Sequence, residues 1–440
     1  MKYILSGELT LDKLREIVQA WHSSEKVTLN RYYDYYIGKQ AICNKSYSDK
    51  TKPCNKVVTN FCHQIVQQYQ GFNIGVPVTY EVSDEVRDIL NYNDVTEKDT
   101  LFLKNALIYG KSFELQYLDS DKINRFENID TRAGIDIYDD ELEHDELKYF
   151  IRIYSVDNTG TNTEWRVEVY DNKTCNTYLS RDTFESFELI GTVNHNFGQV
   201  PVTVFPLNEE ELSIFSQVMT LQDAYNTLLS SEIDSWESFV DAYMVLKGVT
   251  ADEETLKDMK TNRVLLLDAD SQAEFLTKQV NDSQIKNMLD NIKAMIFKIS
   301  NAPDFTDPDF MAQSGIALQY KLVGFNNVSK AIMNRMEKAL RKRIELFQAI
   351  EGLKGTGDEA FDNITITFTQ NLPANTLDTA QLINTLRGIV SNKTLLSLLP
   401  FVRDVDEELK QIDEENQKQM DLYGFGMSNT EEGDTDEESK

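Results

Sequence analysis

A change of hydrophobic period divides this chain and limits what it can fold into. Between residues 112 and 205 apolar and polar side chains alternate. Phe113, Leu115 and Tyr117 interleave with Glu114 and Gln116; Phe150, Arg152 and Tyr154 interleave with Ile151 and Ile153; Trp165, Val167 and Val169 interleave with Arg166 and Glu168. Turn-forming residues such as Asp157-Asn158-Thr159-Gly160 separate these runs. A period of two with short runs predicts an antiparallel β region.

On both sides of that region the period becomes helical. Residues 9–37 carry Leu11, Leu14, Ile17 and Val18 on one face, with Thr10 or Asp12 as the cap and Gly38 as the stop. A second helix is expected over 55–70, where Val57, Phe61, Ile65 and Tyr69 recur every fourth residue before Gly71. A third spans 97–109 and ends at Gly110. Residues 217–247 read as one long amphipathic helix closed by Gly248. A small mixed unit follows, with a helix at 251–260 and strands at 263–267 and 273–276. Ile285, Met288, Leu289, Ile292, Ile296 and Ile299 place a helix over 282–300. A loop containing Pro303 and Pro308 leads to the longest helix, 316–350. A strand at 363–369 and a helical stretch at 376–420 complete the ordered part. Strands and helices that segregate in this way make an α+β fold.

Charge narrows the partners. The chain carries −29, of which −11 lies from Asp404 onward (fourteen acids against three bases), so the body is acidic as well. Tight phosphate binding normally needs Lys and Arg to displace counterions. An acidic surface suits instead a wall past which a polyanion slides. No apolar run approaches the ~20 residues that span a bilayer, and the N-terminus turns polar at Ser6-Gly7-Glu8, so synthesis in a cytosol without membrane insertion is expected. Cys43, Cys54, Cys62 and Cys175 are expected to be free thiols, and Cys54, Cys62 and His63 match no metal-ligand spacing.

Catalytic patterns are missing. Neither a phosphate-binding G-x-x-x-x-G-K-[ST], an H-E-x-x-H nor a G-x-S-x-G occurs, and Gly352-Leu353-Lys354-Gly355-Thr356-Gly357 lacks the spacing of the first. No cofactor is implied. The tyrosines Tyr32, Tyr33, Tyr35 and Tyr36 read as packing residues before they read as base-stacking ones. Arg335, Lys338, Arg341, Lys342 and Arg343 form a basic cluster on the longest helix, able to meet phosphates or the acids of a neighbouring subunit; the acidity of the chain favours the second.

Several tracts, in order and over nearly the whole chain, resemble the portal proteins of tailed bacteriophages, of the siphophage type that infects Gram-positive hosts. They are Tyr35-Tyr36-Ile37-Gly38 followed by Lys52-Pro53 and Asn55-Lys56-Val57-Val58, Gln70-Gly71-Phe72-Asn73-Ile74-Gly75-Val76-Pro77-Val78, Phe197-Gly198-Gln199-Val200-Pro201-Val202, Leu221-Gln222-Asp223-Ala224-Tyr225-Asn226, Ser314-Gly315-Ile316-Ala317-Leu318, Asn371-Leu372-Pro373-Ala374-Asn375 and Val390-Ser391-Asn392-Lys393-Thr394-Leu395. The resemblance implies a non-enzymatic ring, usually of twelve subunits, at one capsid vertex of the virion. The chain would be made in the host bacterial cytoplasm. The ring would pass double-stranded DNA without sequence specificity during packaging and ejection. Its partners would be the terminase large subunit, a head–tail connector protein, the scaffold and the major capsid protein.

The resemblance also implies a map. The wing would be residues 1–216, completed by 316–370, which includes the long helix 316–351 and a wing strand at 363–370. Stem helices would span 217–247 and 282–302, with the clip at 248–281 between them, the crown at 371–422 and an acidic disordered tail at 423–440. A tunnel loop at 303–315 would face DNA with Asp304, Phe305, Thr306, Asp307, Phe310, Met311 and Gln313. Glu232, Asp234, Glu237 and Asp241 would line the channel, and Lys257, Lys260 and Arg263 of the clip would meet a partner. Two other readings compete: a head–tail adaptor or other capsid protein without a DNA channel, and a metal-dependent hydrolase built on acidic pairs such as Asp304 and Asp307.

Overall fold

The computed structural model describes residues 2–50, 52–141, 147–157, 164–181, 184–239, 244–247, 272–275, 282–306, 320–354, 364–371, 376–399, 402 and 405–424. The chain divides into two units, Met1–Asn371 and Leu372–Lys440. In the first, strand β1 (Tyr3–Ile4) precedes helix α1 (Leu11–Ala20), which the Thr10 hydroxyl caps by accepting from the Lys13 N–H. A π-helical turn, Trp21–Glu25, joins α1 to α2 (Lys26–Tyr36). The expected single helix is therefore nearly continuous, but the wider turn lets it serve two cores. Leu14, Val18 and Trp21 pack in one and Leu29, Tyr32, Tyr35 and Tyr36 in the other. Gly38, at φ +86°, ends it.

Helix α3 (Phe61–Ile74) starts six residues later than the spacing predicts and runs through Gly71 to Gly75. The Asn60 side chain caps it by accepting from the His63 N–H. Strand β2 (Thr79–Glu81) leads to α4 (Asp84–Tyr92), which the apolar pattern did not announce. Its signal was local: Ser83 accepts from the Val86 N–H, and Asp84 and Glu85 fill the first turn. Helix α5 (Val95–Tyr109) ends at Gly110, whose φ is +89°. A Cβ there would lie 2.2 Å from the Glu211 carbonyl oxygen.

The alternating region forms two sheets. Strands β3 (Lys111–Leu118) and β4 (Asn124–Ile129) join β10 (Val202–Pro206) in the order β10-β3-β4. Strands β5 (Gly134–Tyr138), β6 (Leu147–Asp157), β7 (Glu164–Tyr170), β8 (Thr174–Arg181) and β9 (Glu188–Asn194) form an antiparallel meander. Strand β1 joins it in parallel, with Tyr3 opposite Ile137.

Helix α6 (Met219–Phe239) is shorter than expected, because Met244–Lys247, read as its last turn, forms strand β11. Strand β11 pairs antiparallel with β12 (Gln272–Phe275), Met244 opposite Phe275. The expected helix 251–260 and strand 263–267 lie outside the described residues. Helix α7 (Asp282–Ser300) matches its expected span. Helix α8 (Val323–Lys354) is the long helix, and β13 (Thr365–Thr367) pairs with β2, Ile366 opposite Tyr80.

Helix α8 is keyed into place by Arg343, which is fully buried. Its guanidinium makes two bonds to Glu114, both 2.7 Å, and a third of 2.7 Å to Asp99; the Tyr80 hydroxyl donates to Asp99 at 2.6 Å. This corrects the reading of the basic cluster. Arg343 meets neither phosphate nor another subunit, because only a complete set of carboxylates makes a buried guanidinium tolerable. Arg335, Arg341 and Lys342 also reach acids of their own chain, Glu209, Glu337 and Glu345. The second unit holds α9 (Thr376–Leu386), α10 (Asn392–Ser397) and α11 (Val405–Gly424), three helices where one helical stretch was expected. Gly388 at φ +85° separates the first two.

Candidate functional site

The elements that the sequence reading assigned to a channel are α6, α7 and the start of the loop after them. Helix α6 carries four polar residues at every fourth position: Gln222, Asn226, Ser230 and Asp234, all buried. Alongside it runs the non-helical segment 53–60. Gln222 Oε1 accepts the Phe61 N–H at 3.0 Å, Asn226 Oδ1 the Thr59 N–H at 3.0 Å, Ser230 Oγ the Val57 N–H at 3.0 Å and Asp234 Oδ1 the Asn55 N–H at 2.6 Å.

The match is one of repeat lengths. Four helical residues rise about 6 Å, and two residues of extended chain advance about 6.6 Å. A polar side chain every fourth residue on a helix can therefore satisfy every second N–H of an extended strand. This is why residues 55–60 are not helical despite their apolar spacing. Every second backbone donor, those of Asn55, Val57 and Thr59, is taken by a side chain of α6, a partner that a local reading cannot see.

Asp234 closes the ladder. Besides Asn55 it accepts from Lys45 Nζ at 2.6 Å and the Tyr47 hydroxyl at 3.2 Å. Burial opposes its charge, but the Lys45 ammonium and the Asn55 donors outweigh that and hold its carboxyl down to about 2. Asp234 is 7% exposed and its charge is spent inside the chain, so it is an anchor and not a channel-lining acid. Glu237, one turn on, is exposed and accepts from Asn55 Nδ2 at 2.9 Å. Glu232 is half-buried on the same helix, and Asp241 lies outside the described residues. Near the other end, Asp223 accepts from the Tyr35 hydroxyl at 2.6 Å.

Helix α7 packs beside α6 through a shared aromatic. Phe61 stands edge-on to Tyr225 of α6 at 5.1 Å and to Phe297 of α7 at 5.8 Å. Past α7, the Tyr69 hydroxyl donates to the Ser300 carbonyl at 2.9 Å and Gln68 Nε2 to the Pro303 carbonyl at 3.1 Å. Asp304 then pairs with Lys293 of α7 at 2.8 Å and accepts from the Thr306 hydroxyl at 2.6 Å. Partial burial opposes ionisation of Asp304, while Lys293 and Thr306 more than offset it and lower its pKa. The loop thus leaves α7 from a fixed base. Phe305 is 47% exposed there. Asp307, Phe310, Met311 and Gln313, like the clip residues Lys257, Lys260 and Arg263, lie outside the described residues. Of the acids that a hydrolase would need, Asp304 is already committed to Lys293.

What sequence reasoning missed is the ladder. Gln222 and Asn226 stood in one of the tracts that carried the resemblance, but their spacing with Ser230 and Asp234 was the sign that α6 presents a polar stripe to something other than water.

Comparison with known proteins agrees with the tracts. The family model described as phage portal protein, SPP1 Gp6-like, matches residues 15–421. The portal protein of Bacillus phage SPP1 is 25% identical over 92% of this chain and 83% of its own length. That of Clostridium phage phiCD119 is 22% identical over 96% of this chain and 99% of its own. A chain from the virion of a native gene transfer agent particle aligns with 76% of this chain and 88% of its own, at 12% identity and a TM-score of 0.47. With the family model spanning 407 of its residues, this chain belongs to the SPP1 Gp6-like phage portal proteins.

Proposed function

We propose that the chain is one subunit of a closed ring, of twelve copies, at one capsid vertex, and that the ring is the channel through which double-stranded DNA enters and leaves. The observation that carries this reading is the portal-family match over residues 15–421. The stem is built from α6 and α7, the wing from residues 1–216 with α8 and β13, the clip from 248–281 and the crown from 371–422. The role is structural. With no nucleotide-binding motif in the sequence, the work of packaging comes from a docked motor, the terminase large subunit, which meets the clip through Lys257, Lys260 and Arg263. A head–tail connector protein takes that place after packaging, and the scaffold and major capsid protein hold the wing.

The ladder supports a mechanical part for the stem. It ties α6 to the wing by a continuous row of hydrogen bonds, so load along the helix is shared by several donors at once. Glu232, Glu237 and Asp241 are the acids left to repel DNA from the wall, and Asp304 to Gln313 form the loop that presses on it. The test is packaging in vitro. Procapsids assembled with the chain, terminase and ATP should protect DNA from nuclease, and procapsids assembled without it should not. Equal protection in both would contradict the reading.

A further inference from the structure

A π-helical turn sets one cation apart from the others. After the turn Trp21–Glu25 the Lys26 N–H bonds to the Trp21 carbonyl, five residues back and not four. The extra residue lets Glu25 reach Lys111 at 2.9 Å while Lys26 stands over Trp21. The Lys26 ammonium lies 5.0 Å from the Trp21 ring centre and 4.6 Å from that of Trp165. The two rings fix the charge, yet no oxygen of a described residue accepts from it and no carboxylate pairs with it. On a chain with 73 acids and 44 bases, a half-buried lysine in that state runs against the charge balance.

The ammonium faces a cleft of about 470 Å³ between α2, the end of β4 and strands β6 and β7. Asn30, one turn further along α2, lines the same cleft. So does Ser155 of β6, which sits opposite Trp165 on the same face of the sheet. Both are half-buried, and among the described residues neither side chain has a hydrogen-bond partner. An ammonium, an amide and a hydroxyl therefore stand around one space with their donors unused. The two acids of the lining are committed elsewhere. Glu127 pairs with Lys98, and Asp130 holds Arg132 through two bonds of 3.0 and 2.7 Å. Burial and the nearby Arg132 guanidinium both lower the pKa of Lys26, and Asp130 only partly opposes them, so the cleft is short of negative charge.

We propose that this cleft binds a phosphate group, with Lys26, Asn30 and Ser155 as its donors. A carboxylate suits it less well. The planar pair of carboxylate oxygens matches the fork of an arginine, and the fork of Arg132 already holds Asp130. A lysine acts on phosphate as a point charge, and the amide and hydroxyl beside it can each meet a separate oxygen of a tetrahedral group. The group arrives free, as inorganic phosphate or a nucleotide, or on the backbone of DNA. The site is distinct from the stem residues and does not rest on the ring reading.

The experiment is equilibrium dialysis of the full chain against radiolabelled inorganic phosphate, at an ionic strength fixed with sodium chloride, for the wild type, K26Q, K26R and S155A. Circular dichroism and the melting temperature check folding. S155A leaves the contact of Lys26 with the two rings alone and carries the test if K26Q melts early. The wild type should retain a single phosphate per subunit. K26Q should weaken retention at least about tenfold, as expected for one lost charge-assisted hydrogen bond. S155A should weaken it by about threefold, a neutral hydrogen bond being worth less, and K26R should keep most of it. Competition separates the sources. Displacement by deoxyadenosine monophosphate and not by a short DNA duplex supports a free ligand at the site, and displacement by the duplex supports a backbone phosphate there. No retained phosphate, retention unchanged by K26Q and S155A, or displacement by sodium acetate as effective as by unlabelled phosphate would overturn the proposal.

Discussion

Asn226 Oδ1 accepts both donors of Thr59, the backbone N–H at 3.0 Å and the hydroxyl at 2.7 Å. Its own amide donates to Gln40 Oε1 at 2.5 Å. One buried side chain thus joins helix α6 to two segments of the N-terminal half. Around it, Gln222, Ser230 and Asp234 repeat the same bond to Phe61, Val57 and Asn55.

Replacing Asn226 by leucine should therefore cost far more than its volume suggests. It leaves the half-buried Thr59 donors and the buried Gln40 Oε1 without this partner, at about 1–3 kcal/mol for each fully buried group left unsatisfied. Urea unfolding should show a loss of at least about 2 kcal/mol. Asn226→Asp keeps the acceptor for Thr59 but buries a carboxylate against Gln40 Oε1, so it should also destabilise the fold at neutral pH.

Asp234 gives the ladder a pH dependence with a defined sign. Its folded pKa, about 2, lies below the unfolded carboxylate value. Its contribution is present in full above about pH 4 and disappears as the pH falls through about 2. Acid unfolding followed by circular dichroism should be less steep in Asp234→Asn between those values, and the variant should be less stable than the wild type at neutral pH.

Arg343 tests the other buried anchor. Arg343→Met leaves Glu114 and Asp99 without their cation and should lower stability by about 3–5 kcal/mol. The triple replacement R343M/E114L/D99L removes the charges together and should recover most of that loss, read as a melting temperature close to the wild type.

How far these features were legible in the sequence depends on whether the partner was local. Helix α7 was read at its observed span because Ile292, Ile296 and Ile299 recur along its own turns, and the end of α5 was read at Gly110 because the stop is a property of one residue. The antiparallel sheets followed from the alternation between residues 112 and 205. The start of α3 was misread because the donors of Asn55, Val57 and Thr59 find their acceptors more than 160 residues away. Asp234 was misread for the same reason, its cation Lys45 being 189 positions distant. Arg343 looked like one member of a surface cluster, since nothing in its neighbourhood marks that one face of α8 meets Glu114 and Asp99.

The loop after α7 offers a separation of assembly from packaging. Lys293, Asp304 and Thr306 fix its base. Deleting residues 307–313 keeps that base, so rings should form with wild-type yield. Packaged DNA per particle should fall at least about tenfold if that loop presses on the duplex. Normal filling would remove the loop from the mechanism.

The central claim is that identical copies of this chain close around a DNA-wide hole. The most direct measurement is the mass of the purified chain in solution, with electron micrographs of the same sample. The expected particle has a mass near twelve times the 50.6 kDa subunit and is ring-shaped in end view, with a central hole wider than the roughly 20 Å DNA duplex. A particle with no hole, or with one too narrow for the duplex, would contradict it.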